Sequence, residues 1–440
     1  MLVDFTVENY RSIKSSVILS AVAQKGRIPE RNKTNASHSY IRADSDIAPT
    51  SIVTGRGFGL LPVLGIFGAN ASGKTNILLA LDKLLNLMAN GNSDFHAPFP
   101  PTIEGITPFR LSKVTSASPT RFNLRVALGG IIYTYALTLS QERIVEERLD
   151  HIRPTAKRNS LLFQRLWSDH AGQYIWKNGS ELGTYRRLQD TVREREIFLS
   201  LLTTRFNVDI LQAFSDWTQL RGQGLGHEEF NHVVSMHQLT RMGQSWRNQV
   251  VQILRRFDTG LLDVEVQTGQ IGSPEPRLVA VHNNGEALIR WPFEEESTGT
   301  QRLFDLANKV LSSLDTGRMM LEDELGSNIH PNITREIVRL FQSPVTNPKR
   351  AQLIFTSHDN ALQQRNLLRR DQIWFTEKQT DGSTELYPLT DFKPRNDLAV
   401  DKAYLDGRFG AVPLLPDTED IVPDIGVSRR AEESIEEMVD

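Results

Sequence analysis

The chain has 440 residues, with 50 Lys and Arg against 53 Asp and Glu, and it contains no cysteine. That length leaves room for two or three domains with at least one large core, and the composition excludes collagen-like and wholly disordered proteins. Disulfides, thiolate nucleophiles, iron–sulfur clusters and cysteine zinc sites are also excluded. Any metal ion must therefore be held by oxygen or imidazole ligands.

The net charge of −3 is unevenly distributed along the chain. Residues 417–440 carry nine acids and two arginines, a local charge of −7, so the remainder carries +4. A mildly basic body with an acidic tail is compatible with nucleic-acid contact without requiring it. We expect the tail, residues 416–440, to be disordered; the alternative is a docking or autoinhibitory segment.

The amino-terminal sequence alternates apolar and polar residues and carries charge from Asp4 onward, unlike a signal peptide. The longest apolar run, residues 60–69, is much shorter than the roughly 20 residues needed to cross a bilayer. These features predict a cytoplasmic protein with no membrane partner.

The first part of the chain reads as strands around one strand–loop–helix unit. Alternation predicts strands at 2–7 and 16–22, and residues 25–58 have the composition of a surface loop. A buried strand follows at 61–67, then a helix at 76–88 with leucines at helical spacing. Two antiparallel strands are predicted within 120–140.

The remainder divides into a helical region and an alternating region. Helices are predicted at 185–202, 208–220 and 244–257, and strands at 263–268, 277–282 and 286–292. Strands and helices then alternate, which predicts a parallel sheet with crossover helices. The alternating elements are helices at 300–314, 331–342 and 360–368 and strands at 319–321, 352–355 and 372–375.

Residues 68–75, between the predicted buried strand and helix, match the P-loop pattern G-x-x-x-x-G-K-[ST]. In such a loop backbone N–H groups surround phosphate oxygens and the helix N-terminus adds positive potential. Lys74 would neutralise the outer phosphates and Thr75 would ligate Mg²⁺, so ATP and Mg²⁺ are the expected cofactors. The candidate nucleotide-binding residues here are Gly68, Ala69, Asn70, Ala71, Ser72, Gly73, Lys74, Thr75 and Asn76.

Three acids follow the apolar strand predicted at 319–321, where a P-loop enzyme needs a metal carboxylate and a water activator. We assign Asp323 to the metal shell and Glu324 to polarising the attacking water. Glu322 is the competing metal carboxylate.

His358 closes the next predicted strand, which a parallel sheet would place near the γ-phosphate. A histidine can hydrogen-bond phosphate and water at neutral pH. Lys74, Glu324 and His358 are therefore the candidate catalytic residues.

Ser297 and Gly299 precede the predicted helix at 300–314 and form a candidate anion site at its N-terminus. The simpler interpretation is a helix N-cap.

In this order, the P-loop, Ser-x-Gly, Asp-Glu and His motifs resemble the ATPase head of the ABC/SMC class. More closely, the chain is similar to small SMC-like AAA ATPases of bacterial anti-phage operons, the RloA type, with relatives in OLD and PARIS systems. The resemblance extends to about residue 415. It is carried by residues 9–13, 67–75, 198–200, 296–304, 323–331, 355–359 and 404–413.

The resemblance implies that Ser297 and Gly299 close on the nucleotide of a partner's P-loop, in a homodimer or higher homo-oligomer. It also places Arg11 near the nucleotide, and Asn328 and His330 at the D-loop, although Pro331 also suits an ordinary helix start. No glutamine occurs between Thr75 and Gln141, so the ABC Q-loop glutamine is missing. The turn at 108–110 is a candidate replacement.

The sequence therefore predicts an α/β fold, an ABC/SMC-type P-loop ATPase head with a mixed sheet, an antiparallel β subdomain and a helical insertion. The expected domains are an N-terminal ATPase lobe (1–142), a mainly helical insertion (143–262), a C-terminal ATPase lobe (263–415) and the tail (416–440). Arginines of the insertion are interpreted as a solvated face, with a nucleic-acid or partner surface as the alternative.

The expected function is Mg²⁺-dependent ATP hydrolysis that senses or regulates a separate effector in anti-phage defence. That effector would be a TOPRIM-like or RloB-type nuclease. The main alternative is a DNA-repair or chromosome-maintenance ATPase of the RecF/SMC kind that binds DNA. A self-sufficient nuclease is disfavoured because no second carboxylate-rich domain follows residue 415, and a GTPase because no N-K-x-D motif occurs.

Overall fold

The computed structural model describes residues 1–24, 50–51, 58–90, 105–204, 208, 211–219, 228–257, 260–267, 277–395 and 398–413. The acidic tail and most of the loop predicted at 25–58 lie outside these ranges. The strands are β1 (Leu2–Glu8), β2 (Val17–Ser20), β3 (Thr50–Ser51), β4 (Gly59–Leu60), β5 (Val63–Gly68), β6 (Thr120–Leu128), β7 (Ile131–Leu139), β8 (Ile144–Ile152), β9 (Ser160–Ser168), β10 (Gln173–Asn178), β11 (Asp263–Gln267), β12 (Arg277–Asn283), β13 (Leu288–Pro292), β14 (Met319–Glu322), β15 (Gln352–Thr356), β16 (Ile373–Lys378) and β17 (Thr384–Pro388).

Helices connect and cover these strands. The α-helices are α1 (Lys74–Asn90), α2 (Lys113–Ser116), α3 (Phe198–Thr204), α4 (Gln212–Gln219), α5 (Glu228–Arg256), α6 (Thr298–Thr316), α7 (Pro331–Gln342) and α8 (Val400–Leu405). Short 3₁₀ helices occur at Ser180–Thr191, Phe293–Glu295, Asn360–Gln363, Arg370–Gln372 and Leu389–Phe392. None of the helices in the described part of the chain is long and apolar enough to cross a membrane.

A five-stranded sheet in the order β14-β15-β5-β16-β17 forms the centre of the fold. Its first four strands are parallel, as the alternation of helix and strand predicts, and β17 pairs with β16 in the antiparallel direction. All six residues of β5 are buried because helices cover both faces of the sheet. Leu64 and Ile66 pack in the core that contains α1, whereas Val63 and Phe67 pack in the core that contains α7.

A seven-stranded antiparallel sheet, β10-β9-β8-β7-β6-β1-β2, packs against α1, α3 and α4. Three of its strands, β8 to β10, lie in the region assigned to a mainly helical insertion from residue 143, so that assignment is wrong for residues 144–178. The alternation is obscured because β8 and β9 place an ion pair, Glu147 and Arg165, in fully buried positions.

Two further helix predictions differ from the structure. Residues 185–202 form the 3₁₀ helix Ser180–Thr191 and then α3. The helix expected at 360–368 is the 3₁₀ helix Asn360–Gln363, which ends because Gln364 adopts an extended conformation. Buried leucines at 362, 367 and 368 produced the helical spacing.

A three-stranded antiparallel sheet, β11-β12-β13, packs its apolar face on α5 and α6. The helix predicted at 244–257 is the second half of α5, which is interrupted at Gly243, where φ is +76°. The sheet leads directly through β13 into the N-terminus of α6.

Candidate active site

The carboxyl ends of β5, β14 and β15 meet at one edge of the central sheet because these strands are parallel and adjacent. The P-loop follows β5, the acid pair follows β14, and His358 follows β15. A cavity of about 530 Å³ lies at this edge. It is lined by Asn70, Ala71, Gly73, Lys74, Thr75, Asn76, Glu324 and His358.

The P-loop has a backbone that only glycine accommodates at two of its positions. Gly68 has φ of +157° and Gly73 has φ of +103°. A Cβ at Gly68 would collide with the carbonyl oxygen of Thr376, and one at Gly73 would collide with the side chain of Thr384. The loop is therefore packed tightly against β16 and β17 on the side away from the cavity.

Lys74 is buried, and its Nζ donates hydrogen bonds to the carbonyl oxygens of Gly68 (3.0 Å) and Ala69 (2.9 Å). Burial lowers the pKa of its ammonium group, while the Asp323 and Glu324 carboxylates act in the opposite direction. The amine thus lies among carbonyl and carboxylate oxygens at the mouth of the loop.

Asp323 faces the P-loop. Its Oδ1 accepts hydrogen bonds from Thr75 Oγ1 (3.2 Å) and from Thr356 Oγ1 (2.5 Å). A hydroxyl oxygen and a carboxylate oxygen at this separation are ligands that suit Mg²⁺. The P-loop and the strand end of β14 thus contribute one oxygen each to a candidate cation position.

Glu322, the competing metal carboxylate, is directed elsewhere. It is buried and pairs with Lys309 (3.1 Å) and Arg302 (3.7 Å) of α6. Successive side chains of a strand point to opposite faces, so only one of Glu322 and Asp323 can face Thr75. The geometry favours Asp323.

Glu324 reaches the cavity from a strained backbone, with φ of +51°. Its N–H donates to Thr356 Oγ1 (2.8 Å), and its Oε2 accepts from Ser327 Oγ (3.1 Å). These contacts hold the turn after β14 in a conformation that presents the carboxylate to the cavity.

His358 lines the same cavity as the P-loop. Burial lowers the pKa of its imidazole, the positive charge of Lys74 lowers it further, and the carboxylates of Glu324 and Asp323 act against this. The ring is therefore uncharged at neutral pH. Its neighbour Ser357 donates a hydrogen bond to the carbonyl oxygen of Leu325 (2.8 Å), which ties the ends of β14 and β15 together.

Six predicted binding residues are not part of the cavity lining: Gly68, Ala69 and Ser72 of the P-loop, and Arg11, Ser297 and Gly299. Arg11 is exposed, with its guanidinium 5.8 Å from the Tyr10 ring centroid. Ser297 is the N-cap of α6, and its Oγ accepts a hydrogen bond from the N–H of Thr300 (3.1 Å). A Cβ at Gly299 would lie 3.1 Å from the carbonyl oxygen of Asn328, so the Ser-x-Gly turn packs beside the loop that follows the acid pair.

The segment assigned to the D-loop and the turn suggested to replace the Q-loop both make hydrogen bonds within the chain. His330 is the N-cap of α7, and its Nδ1 accepts from the N–H of Asn332 (3.2 Å). The N–H of Phe109, within the turn at 108–110, donates to Asn9 Oδ1 (3.0 Å). Asn9 also donates to three carbonyl groups of residues 115–119 and thereby fixes this turn beside Arg11.

Sequence reasoning missed four hydroxyl residues that support the site: Ser12, Thr356, Thr376 and Thr384. Thr356 directly follows the strand predicted at 352–355, and the other three contact the P-loop or its helix. No spacing rule links them to residues 68–75, because only the strand order of the folded sheet brings them together.

The parallel sheet, the P-loop and the acids and histidine at its edge define an α/β P-loop ATPase domain. Residues 63–362 match the family described as "AAA domain, putative AbiEii toxin, Type IV TA system". The match extends over most of the chain, from β5 to beyond His358. The protein belongs to this family.

Solved structures with a similar fold include SMC heads. An SMC head bound to the C-terminal winged-helix domain of ScpA has 14% identity and a TM-score of 0.42, covering 92% of this chain and 99% of that chain. The SMC head domain from Thermotoga maritima has 12% identity and a TM-score of 0.41, covering 88% and 98%. No curated protein matches the sequence.

Proposed function

We propose that this chain is a Mg²⁺-dependent ATPase that hydrolyses ATP between two copies and thereby senses or controls a separate effector in anti-phage defence. The observation that supports this most is the convergence of three motifs on one cavity: the P-loop, Glu324 beside Asp323, and His358.

The P-loop supplies the phosphate-binding part of the proposal. Its backbone amides and the N-terminus of α1 face the cavity, and Lys74 Nζ is positioned to exchange its carbonyl contacts for phosphate oxygens. Asn76 and Asn70 also line the cavity. These groups bind the polyphosphate and neutralise charge that develops on it in the transition state.

The residues present fit a magnesium ion. Thr75 and Asp323 already share a hydrogen bond, and both offer hard oxygen ligands. Mg²⁺ bound there would neutralise phosphate charge and orient the terminal phosphate. The protein's own part is to hold the two oxygens together, which it does through Thr356.

Glu324 is the candidate for orienting and deprotonating the attacking water, since it lines the same cavity as Lys74 and its carboxylate interacts electrostatically with that ammonium group. Neutral His358 would hydrogen-bond the water or the terminal phosphate. Glu324 and His358 lie in the loops that follow β14 and β15, and because these two strands are adjacent and parallel, the sheet fixes the distance between the two residues.

Ser297 and Gly299 are assigned to a second copy. They lie at the start of a 19-residue helix and do not line the cavity of their own chain as described here. A helix N-terminus with a serine cap is suited to phosphate oxygens. We infer a head-to-tail homodimer, or a larger homo-oligomer, in which each α6 closes on the partner's nucleotide and Arg11 approaches it.

The effector and the role in defence derive from the resemblance to RloA-type ATPases, supported by a family description that includes an AbiEii toxin. A TOPRIM-like or RloB-type nuclease is the expected partner. We also propose two ATPase lobes, 1–142 and 263–415, which both contribute strands to the central sheet. Strands β8 to β10, which lie between them in sequence, belong with the first lobe because they extend its antiparallel sheet.

A DNA-binding ATPase of RecF/SMC type is the second candidate, because residues 1–416 carry a charge of +4 and Arg186, Arg187, Arg193 and Arg195 are exposed. ATP-stimulated, salt-dependent binding to duplex DNA would favour it. Binding that does not change with ATP or salt would speak against it.

The proposal is tested with two variants of the full chain. Lys74→Ala should lose ATP binding in calorimetry, and Glu324→Gln should bind ATP yet turn over 10²-fold to 10⁴-fold more slowly, by order of magnitude. The Gln variant should accumulate as an ATP-bound dimer in size-exclusion chromatography with light scattering.

Glu336→Gln is the matched control, because Glu336 is an exposed glutamate of α7 that pairs with Arg339 (3.4 Å) and does not line the cavity. It should behave like the unmodified chain. Normal turnover by Glu324→Gln would refute the assignment of the water activator, and turnover independent of protein concentration would refute the dimer.

A further inference from the structure

A series of hydrogen bonds connects Asn76, at the start of α1, to Ser72 of the P-loop through two hydroxyl residues outside the motif. Asn76 Nδ2, in the first turn of α1, donates to Ser12 Oγ (2.7 Å). Ser12 Oγ lies 2.7 Å from Thr384 Oγ1, and Thr384 Oγ1 donates to the carbonyl oxygen of Ser72 (2.9 Å). The loop and its helix are thus joined through β17 and the segment after β1.

The chemistry of the end groups fixes the direction of these bonds. An amide N–H₂ only donates and a carbonyl oxygen only accepts. The proton between the two hydroxyls must therefore come from Ser12, and that of Thr384 must point to Ser72. Each hydroxyl donates once and accepts once, so loss of either one breaks a connected series.

Packing makes the arrangement rigid. Thr384 is 5% exposed, and its side chain fills the place that a Cβ of Gly73 would take. Its N–H donates to the carbonyl oxygen of Ser12 (2.8 Å), which fixes the two hydroxyl residues relative to each other. A second bridge, between Ser72 Oγ and Thr376 Oγ1 (2.6 Å), holds the same part of the loop to β16.

We propose that Thr384 and Ser12 are positioning residues that preorganise the P-loop for phosphate, an inference that rests on the proposed binding of ATP in this cavity. Neither hydroxyl lines the cavity, so they act through Ser72, Gly73 and Asn76. A loop that is already ordered loses less conformational freedom when the ligand binds, so it binds more tightly. Because Ser12 follows Arg11, the same bonds fix the segment that carries Arg11.

The experiment measures MgATP binding by calorimetry and steady-state ATPase activity with purified full-length variants. Thr384→Ser keeps the hydroxyl and loses the methyl, whereas Thr384→Ala loses both, so their difference isolates the hydrogen bonds. Ser12→Ala and the Ser12→Ala/Thr384→Ala double variant test the connection between the two. Thr390→Ala is the control: it removes a hydroxyl of the 3₁₀ helix Leu389–Phe392 that accepts a hydrogen bond from Gln24 Nε2 (3.0 Å) and does not line the cavity.

Thr384→Ala and Ser12→Ala should each bind MgATP about tenfold more weakly than the unmodified chain, because a buried partner is left unsatisfied. Thr384→Ser should remain within about twofold, and the double variant should be little weaker than either single, since the bonds form one unit. KM should rise while kcat changes less than about threefold, because no reacting atom is touched.

Equal affinities for Thr384→Ala and Thr384→Ser would overturn the inference, as would losses that multiply to about a hundredfold in the double variant. A fall in kcat with unchanged KM would also overturn it. An unmodified chain that does not bind MgATP would instead overturn the proposed function itself, so the two failures are distinguishable.

Discussion

The buried carboxylate of Glu147 offers the sharpest test of how this fold is stabilised. Glu147 and Arg165 are both fully buried, on β8 and β9. The carboxylate accepts hydrogen bonds from Arg165 Nε (2.9 Å), Tyr135 Oη (3.0 Å) and the N–H groups of Phe198 (3.0 Å) and Leu199 (2.9 Å). It therefore anchors the start of α3, the helix that packs on α1 behind the P-loop.

Glu147→Gln preserves the shape of the side chain and removes its charge. The Arg165 cation is then buried without a counter-charge, which costs roughly 3–5 kcal/mol when one partner of a buried pair is lost. The new side-chain N–H₂ also replaces an oxygen that accepted hydrogen bonds, so at least one of the buried donors around Glu147 loses its acceptor. We expect a loss of about 3–5 kcal/mol in the free energy of unfolding, a large part of the 5–15 kcal/mol typical of a folded protein.

The measurement is urea-induced unfolding, with Glu146→Gln as the matched control. Glu146 is the preceding residue of β8, is only partly buried and accepts a side-chain hydrogen bond from Gln164 (2.8 Å). The control should lose less than about 1 kcal/mol. Hydrogen exchange should also show faster exchange of the Phe198 and Leu199 amides in Glu147→Gln alone.

A Glu147→Gln/Arg165→Met double variant should regain much of the stability, because it removes the uncompensated charge while the Gln oxygen still accepts a buried hydrogen bond. The reasoning is refuted if Glu147→Gln and Glu146→Gln unfold at the same urea concentration, or if the two amides remain equally protected in both.

Three further predictions concern the site. Gly73→Ala should weaken MgATP binding more than about tenfold in calorimetry, because the left-handed backbone and the Thr384 side chain leave no room for a Cβ; normal binding would refute this. Since burial and Lys74 lower the pKa of His358, the neutral imidazole persists as the pH falls, so kcat/KM should decline only below about pH 6.5, and His358→Asn should lack that limb. A limb above pH 7 would contradict the assignment. Asp323→Asn should lose the turnover that Mg²⁺ stimulates, with little change in the free energy of unfolding. Glu322→Gln should instead lower the free energy of unfolding by roughly 3 kcal/mol. The reverse pattern in activity assays and urea unfolding would exchange their roles.

The sequence predicted the central part of the fold well because its signals are local. Continuous apolar runs indicate strands buried on both faces, and the spacing of leucines in 76–88 indicates the P-loop helix. The P-loop itself is a contiguous pattern, so residues 68–75 could be recognised directly from the sequence. The parallel direction of the strands around it followed from the alternation of helix and strand, whereas their order did not.

Prediction failed where tertiary contacts compensate unusual residues. In β8 and β9 the buried ion pair of Glu147 and Arg165 places charged residues at core positions, so the alternation of apolar and polar residues that predicts a strand is interrupted. At 360–368 buried leucines imitate a helix that the backbone does not form. Thr384 gave no signal, and Ser12 only that of the segment 9–13, because the hydrogen bonds of both hydroxyls form only once β17 and the segment after β1 pack against the P-loop.

The pairing of β5 has a consequence for how the protein folds during synthesis. The P-loop strand pairs with residues 353–356 on one side and 373–376 on the other, which the ribosome makes hundreds of residues later. Contacts between such distant segments form slowly. Until then the apolar strand, the loop and the first turns of α1 have no sheet to join. A nascent chain would be unable to bind nucleotide until residues beyond 376 have left the ribosome, so ATP cannot assist the early stages of folding.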